Sequence, residues 1–224
     1  MAMKFPWFPE QAANAFIATV KSCGTSRSIH DPGESELLSA MAAGWNSKMI
    51  VETWSHGSPI STSVGLAVAA TYNGGRHVCV VPDEQSRNEY MTAVKAAVDG
   101  EAEANTELIV EGSPEKAVGG LEGVDFLVVD SKRRDSVRVL KSARLGQSGA
   151  VLTRKNASVA SSAFRWSRVL DGGSHLVRSV VLPVGGGLDI AYIDRIGGGN
   201  STDKRRRWIK HVDRMSGEVH VFRG

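Results

Sequence analysis

Lys48-Met-Ile-Val-Glu-Thr-Trp-Ser-His-Gly-Ser-Pro59 is the stretch on which the fold turns. An apolar strand, Met49–Thr53, ends beside a carboxylate, Glu52. A short turn follows, then a helix of small residues expected over Pro59–Tyr72 and stopped by Asn73-Gly74-Gly75. Strand, glycine-bearing turn and helix together form the nucleotide cradle of a doubly wound α/β domain, where the helix N-terminus offers free N–H donors. Such turns normally carry two or three glycines so that the backbone can approach a ligand. Here only Gly57 is present, and Trp54 stands where a small residue is expected.

The same alternation continues along the chain. Strands are expected at His77–Val81, Glu107–Val110, Val124–Val129 and Ala150–Arg154. Helices are expected from Asp83, as N-cap, to about Val98, after Gly112-Ser113-Pro114, and over Lys132–Ala143. Strands spaced by helices indicate a parallel sheet covered on both faces. Near-continuous apolar strands such as Phe126-Leu-Val-Val129 fit burial on both sides. After a helical Phe164–Leu170 the pattern changes. Leu176–Leu182 and Leu188–Ile193 are joined through Pro183-Val-Gly-Gly-Gly187, which leaves no room for a helix, so the last strand must run antiparallel.

Two helices precede the alternating part. Pro9–Cys23 places Ala12, Ala13, Phe16, Ile17 and Val20 on one stripe. The second helix buries Leu37, Leu38, Met41 and Ala42 and stops near Gly44. At the other end, Trp208–Val212 and Val219–Phe222 read as a hairpin turning at Met215-Ser-Gly217. The expected organisation is one domain over 1–224: N-terminal helices at 1–45, a Rossmann-like core at 46–194 and a basic extension at 195–224.

Composition sets the broad class. With 224 residues, 42% hydrophobic and 23% charged, the chain is an ordinary globular protein. A net charge of +3 does not by itself imply nucleic acid. The two cysteines, Cys23 and Cys79, form no disulfide framework, which points to a reducing compartment. No apolar run approaches a membrane span, and the N-terminus lacks a signal-peptide core. A cytoplasmic location is the default, and Lys204-Arg-Arg-Arg207 suits a nuclear-import signal. This run and Lys132-Arg133-Arg134 can meet phosphates, but a solvated helix start and a charged edge strand explain them as well, so nucleic acid is not the expected partner.

Five parallel units followed by an antiparallel terminal pair resemble the class I S-adenosylmethionine-dependent methyltransferases. Ile50-Val-Glu-Thr53 looks like their first motif, and Glu111-Gly-Ser113 like the third-strand loop beside adenine. Val124-Asp-Phe-Leu-Val-Val-Asp130 and Ser179-Val-Val-Leu-Pro-Val-Gly-Gly-Gly-Leu188 are similar to motifs of catechol-type O-methyltransferases. The likeness covers about 34–194. A closer one spans nearly the whole chain. Ala40-Met-Ala-Ala-Gly-Trp-Asn46, Ile50-Val-Glu-Thr-Trp54, Val81-Pro-Asp-Glu-Gln85, Asp125-Phe-Leu-Val-Val-Asp-Ser-Lys-Arg-Arg134 and Trp208-Ile-Lys-His-Val-Asp213 resemble a plant family of methyltransferase-like proteins filed as a domain of unknown function.

The resemblance implies a site. S-adenosylmethionine would lie over Glu52, Gly57, Ser58, Asp83 and Ser113, with Trp54 in the cradle wall. Asp83 is two residues beyond the usual ribose-binding acid, whose place Val81 holds, and it is equally a helix N-cap. Asp130 matches a metal-binding carboxylate, but the fifth-strand Asp-Asn pair reads Lys155-Asn156. Lysine repels a cation, so no Mg²⁺ is expected. Lys155 either stands in for the metal toward a substrate oxygen or forms a structural pair with Asp130. His56 is a candidate base, as the loop histidine nearest this mouth, or an ordinary exposed histidine. Two functions follow: methyl transfer to a small molecule without metal, or a retained fold that has lost the cofactor and serves as another enzyme class or a binding module. The N-terminal helices and C-terminal hairpin could pack against a second copy of the chain.

Overall fold

A computed structural model describes residues 7–24, 33–97, 106–157, 164–195, 208–212 and 219–223. The turn at 215–217 and the basic run 204–207 lie outside the described residues. Two helices, α1 (Pro9–Gly24) and α2 (Glu34–Gly44), lead into β1 (Met49–Thr53), α3 (Ser61–Asn73), β2 (Arg76–Val81), α4 (Glu84–Ala97) and β3 (Thr106–Val110). Then come α5 (Pro114–Gly120), β4 (Glu122–Val124), β5 (Phe126–Asp130), α6 (Ser136–Ser142), β6 (Arg144–Leu145) and β7 (Ala150–Lys155). The last elements are β8 (Ser174–Leu182), β9 (Leu188–Arg195) and the antiparallel pair β10 (Trp208–Val212) and β11 (Val219–Arg223).

The main sheet has seven strands in the order β3-β2-β1-β5-β7-β9-β8. β3, β2, β1, β5 and β7 are parallel, and β9 is antiparallel to both its neighbours. Strand order reverses between β1 and β5, which opens a crevice at their carboxyl ends.

Both faces are apolar. Ile50, Phe126, Val128, Val151, Leu188 and Ile190 pack under Leu38, Met41, Leu66 and Ala69 of α2 and α3. On the other face Val51, Val80, Leu127, Val129 and Leu152 pack against Val118 of α5 and Val139 and Leu140 of α6. Burying each such side chain is worth about 1.5–3 kcal/mol over leaving it in water.

Several sequence expectations are corrected. The α1 stripe is rotated: Ala12, Ala15 and Thr19 are buried, whereas Phe16, Ile17 and Val20 are 44–50% exposed. Small side chains decide this, because α1, α2 and α3 approach too closely for large ones. Thr19 Oγ1 meets Ala15 O at 2.8 Å and Ser39 Oγ at 2.9 Å. The strand expected at Val124–Val129 is broken at Asp125, whose Oδ2 accepts the N–H of Lys48 (2.7 Å) and of Met49 (3.1 Å). Glu122–Val124 pairs instead with β6 in a separate two-stranded sheet. The helix expected from Lys132 begins only at Ser136, because turns hold 131–135: Asp130 Oδ1 accepts the Lys132 N–H at 2.9 Å, and Arg133 grips Asp135 at 3.0 and 2.6 Å. α3 starts at Ser61 rather than Pro59. The helix expected at 164–170 is one 3₁₀ turn, Trp166–Arg168, where Trp166 Nε1 donates to Asp189 Oδ1 at 2.8 Å.

Gly65 tests the close helix packing. A methyl there would sit 2.6 Å from the backbone oxygen of Ser35. Helix propensity alone would make Gly65→Ala stabilising by about 0.5–1 kcal/mol. The contact reverses the sign: the urea midpoint should fall, by the equivalent of about 1–3 kcal/mol.

Candidate functional site

A cleft of about 450 Å³ opens where β1, β5 and β7 end. Its walls come from the loop after β1 (Ser55–Pro59), the first turn of α3, Asp130 with Lys132 and Arg133, Lys155 with Asn156, and two distant residues, Glu34 and Gly186. His56, Gly57, Ser58, Asp130 and Lys155 are therefore brought together as the sequence suggests. Glu52, Trp54, Asp83 and Ser113 do not line this cleft. A larger cleft, about 660 Å³, borders β4, β6 and the start of β7 at the opposite strand ends, and none of its charged lining residues is buried.

Glu52 lies below the mouth rather than at it. Its alternation within β1 turns it under α3, and it is 1% exposed. Register places it beside Cys79 of β2, one step from His77. His77 Nε2 stands 3.2 Å from Glu52 Oε1, an ion-pair contact without hydrogen-bond angles, and His77 Nδ1 meets Thr106 Oγ1 at 2.9 Å. Burial alone would raise the Glu52 pKa; His77, the charge of Lys155 and Ser63 outweigh it and leave the pKa lowered. Burial, with Glu52 close by, pushes the Cys79 thiol well up, and burial with Cys79 and Glu52 raises Tyr90. Both stay neutral beneath the cleft.

Trp54 packs its side chain between the end of β2 and α4. Its N–H continues the ladder to Val80 O at 2.9 Å, and its indole is 1% exposed. It packs with Cys79, Val81, Tyr90 and Val94, meeting Tyr90 edge-on at a centroid distance of 5.4 Å. By the resemblance to methyltransferases, this is where the ribose is expected. Val81, at the ribose-acid position, is fully buried in the same cluster. Asp83 is exposed and caps α4, its Oδ1 accepting the Ser86 N–H at 2.7 Å. That bond is the first cause of its lowered pKa. Ser113 is the N-cap residue of α5, and its N–H donates to Glu111 Oε1 at 3.1 Å.

The loop after β1 is tied to α4. Glu89 pairs with His56 Nδ1 and accepts the Gly57 N–H at 3.2 Å. Gly57 sits at φ 76°, where a side chain would be strained. Glu89 holds the imidazole through Nδ1, and no described residue bonds to Nε2.

At the far wall, Asp130 and Lys155 align across β5 and β7. They do not form the ion pair allowed by the sequence. Asp130 Oδ1 accepts from the Lys132 N–H (2.9 Å) and from Asn156 Nδ2 (3.0 Å). Asn156 reaches it from a left-handed conformation, φ 58°, that asparagine tolerates. Lys155 is 3% exposed, and no described residue forms a hydrogen bond or ion pair with its ammonium. Among the described residues no group of three His, Cys, Asp or Glu side chains could hold a metal ion.

Glu34, Thr62, Asn156 and Gly186 are among the wall residues not singled out from the sequence as site residues. Glu34 Oε1 accepts the Thr62 hydroxyl at 3.4 Å. The glycine run was their one signal. A side chain at Gly185 would collide with Glu34, and one at Gly186 would come within 2.3 Å of Asn156 Oδ1. These glycines let the β8–β9 hairpin form the wall.

A family model described as "Protein of unknown function (DUF1442)" matches residues 3–224. Among curated proteins, none is significantly similar to the chain. Solved structures share the fold at low identity. A methyltransferase from Geobacter sulfurreducens superposes with a TM-score of 0.55 at 19% identity, covering 81% of this chain and 88% of its own. The S-adenosylhomocysteine-bound methyltransferase PaMTH1 of Podospora anserina gives 0.55 at 13%, covering 84% and 89%. An O-methyltransferase from Bacillus cereus in complex with S-adenosylhomocysteine gives 0.51 at 14%, covering 81% and 91%. They establish a Rossmann-like class I methyltransferase fold with antiparallel edge strands.

The buried Glu52 makes a pH prediction. Its folded pKa lies below the ordinary 4.5, so it contributes stability above that value and loses it as pH falls through the lowered one. Glu52→Gln should lose about 1–3 kcal/mol at neutral pH. Its urea midpoint should fall less steeply than the wild type's below about pH 4.5; parallel curves would show that Glu52 carries no such linkage.

Proposed function

This chain belongs to the DUF1442 family, and we propose that it acts on a small molecule held in the cleft at the ends of β1, β5 and β7, with Lys155 as its working charge and no bound metal. One observation carries this reading: a lysine buried to 3% exposure faces the cleft with no partner among the described residues. Lys155 would orient and polarise a substrate oxygen, as a fixed cation does in a site shielded from water. His56, held by Glu89, would move a proton at Nε2. The donor set does not suit a divalent cation, because the ammonium stands beside Asp130 and Asn156 already occupies one carboxylate oxygen.

The filled cradle favours a protein that works without S-adenosylmethionine, as an enzyme of another class or a binding module. The indole of Trp54 and the phenol of Tyr90 occupy the ribose side, and the open cleft keeps only the acceptor side.

Methyl transfer is the second reading, favoured by the solved structures whose names state bound S-adenosylhomocysteine. The donor would then lie over Glu52, Gly57, Ser58, Asp83 and Ser113. Positioning in line with the sulfonium would do most of the work, with His56 or Lys155 as base. That requires Trp54 to leave its place.

Calorimetry with S-adenosylmethionine and S-adenosylhomocysteine separates the two. The wild type should give no binding heat at high micromolar ligand, and a saturable isotherm would overturn the donor-free reading. Trp54→Gly should gain binding if the indole is the block. Its stability should drop by about 3–5 kcal/mol, as expected for removing a buried tryptophan side chain, so folding is checked by circular dichroism.

A further inference from the structure

We infer that the cleft is built for a small oxyanion, a carboxylate or phosphoryl group held jointly by the Lys155 ammonium and the first turn of α3. This rests on the cleft being the working site and names the class of molecule it takes. The observation behind it is an imbalance between the acids and bases of the walls. Each carboxylate facing the cleft already accepts from the protein itself. Asp130 Oδ1 takes the Lys132 N–H and the Asn156 amide. Glu34 takes the Thr62 hydroxyl. Two of the basic side chains are also engaged, His56 by Glu89 and Arg133 by Asp135. Lys132 is exposed on the rim.

Lys155 differs from all of these. It is buried, and its three N–H donors have no acceptor among the described residues. A buried cation without hydrogen bonds is costly, so an arrangement that keeps one implies a ligand that completes it. Glu52 lies close enough below to feel the charge of Lys155 but forms no hydrogen bond with it.

The second wall agrees in sign. α3 is 13 residues long and presents Ser61 and Thr62 to the same cleft. Its first N–H groups have no intrahelical acceptor, and the helix dipole makes that end positive. A helix N-terminus alone would not specify a ligand. Here it shares a cleft with the one buried, unpartnered cation among the lining residues. A ligand oxyanion would satisfy both, whereas a neutral molecule would bring no negative charge to the helix end.

The test is calorimetry on the full chain with inorganic phosphate, acetate and neutral catechol, ionic strength being held constant with chloride. Phosphate or acetate should bind saturably in the millimolar range. Lys155→Met should weaken that binding at least tenfold, and Lys155→Arg should keep part of it. Binding of phosphate alone identifies a phosphoryl group, and binding of acetate alone a carboxylate. If Lys155→Met does not fold, amide chemical shifts of the wild type replace it: the anion should move the Ser61, Thr62 and Ser63 N–H signals. If catechol shifts those signals and neither anion does, the oxyanion inference falls and the cleft reading stands. If no probe shifts them, both fall. Anion binding that Lys155→Met leaves unchanged also overturns the inference.

Discussion

A carboxylate sits in the middle of this sheet, and much of the site depends on how its charge is met. Glu52 belongs to β1, the strand with partners of both orders, and is almost without solvent contact. An isolated ionised carboxylate there would be neutralised by its surroundings. Instead His77 of β2 stands at ion-pair distance, itself held by Thr106 of β3, while Lys155 of β7 and Ser63 of α3 add their influence. One charge thereby couples four strands and a helix. Lys155 enters this set through charge alone, without a hydrogen bond to Glu52, and it also lines the cleft above.

The departures from a methyltransferase cradle are fewer, physically, than they are in sequence. Trp54 and Val81 are one change. Once the indole packs between β2 and α4, an acid at position 81 would lie in an apolar cluster, at the cost of an unpaired buried charge. A β-branched apolar residue is what that cluster accepts. Tyr90 completes it from α4, and Glu89, one residue earlier, ties the same helix to the loop through His56 and Gly57. The region around Trp54 is thus closed by packing and the loop beside it pinned by hydrogen bonds, while the cleft at the ends of β1, β5 and β7 stays open.

What the sequence disclosed follows from how far each signal reaches. β1, β2, β3 and β7 were legible to within a residue or so, because doubly buried parallel strands are uninterrupted apolar runs. The antiparallel β9 was legible because five residues cannot make a parallel crossover. The face of α1 was not, since hydrophobicity pointed to Phe16 and Ile17, whereas close approach to α2 and α3 admits only Ala15 and Thr19. The break at Asp125 was hidden because the apolar run looks continuous across it. Within the site, Gly57 and Ser58 were read from the loop itself, but the Glu89 partner of His56 is 33 residues away and carries no local mark. Glu34 and Gly186 enter only through the folding of the β8–β9 hairpin over the cleft.

Replacing an acid by Lys155 alters more than the sign of one group. A divalent metal held by two strand ends accepts several oxygens in a defined geometry, and so favours ligands with two adjacent donors. An ammonium carries a single charge, donates three hydrogen bonds on a flexible stem and imposes no coordination geometry. Its selectivity is for negative charge rather than for chelation. Asn156 reinforces that difference: bent into a left-handed conformation, it spends its amide on Asp130 and leaves that carboxylate less able to share a cation. Where the resemblance to catechol-type enzymes implies a cation-binding pair, the ends of β5 and β7 carry an internally satisfied acid beside a base with no described hydrogen-bond partner. With Trp54 packed against Val81 and Tyr90, the groups left at this mouth are Lys155 and a histidine positioned by Glu89, which is the set that the proposed anionic ligand calls for.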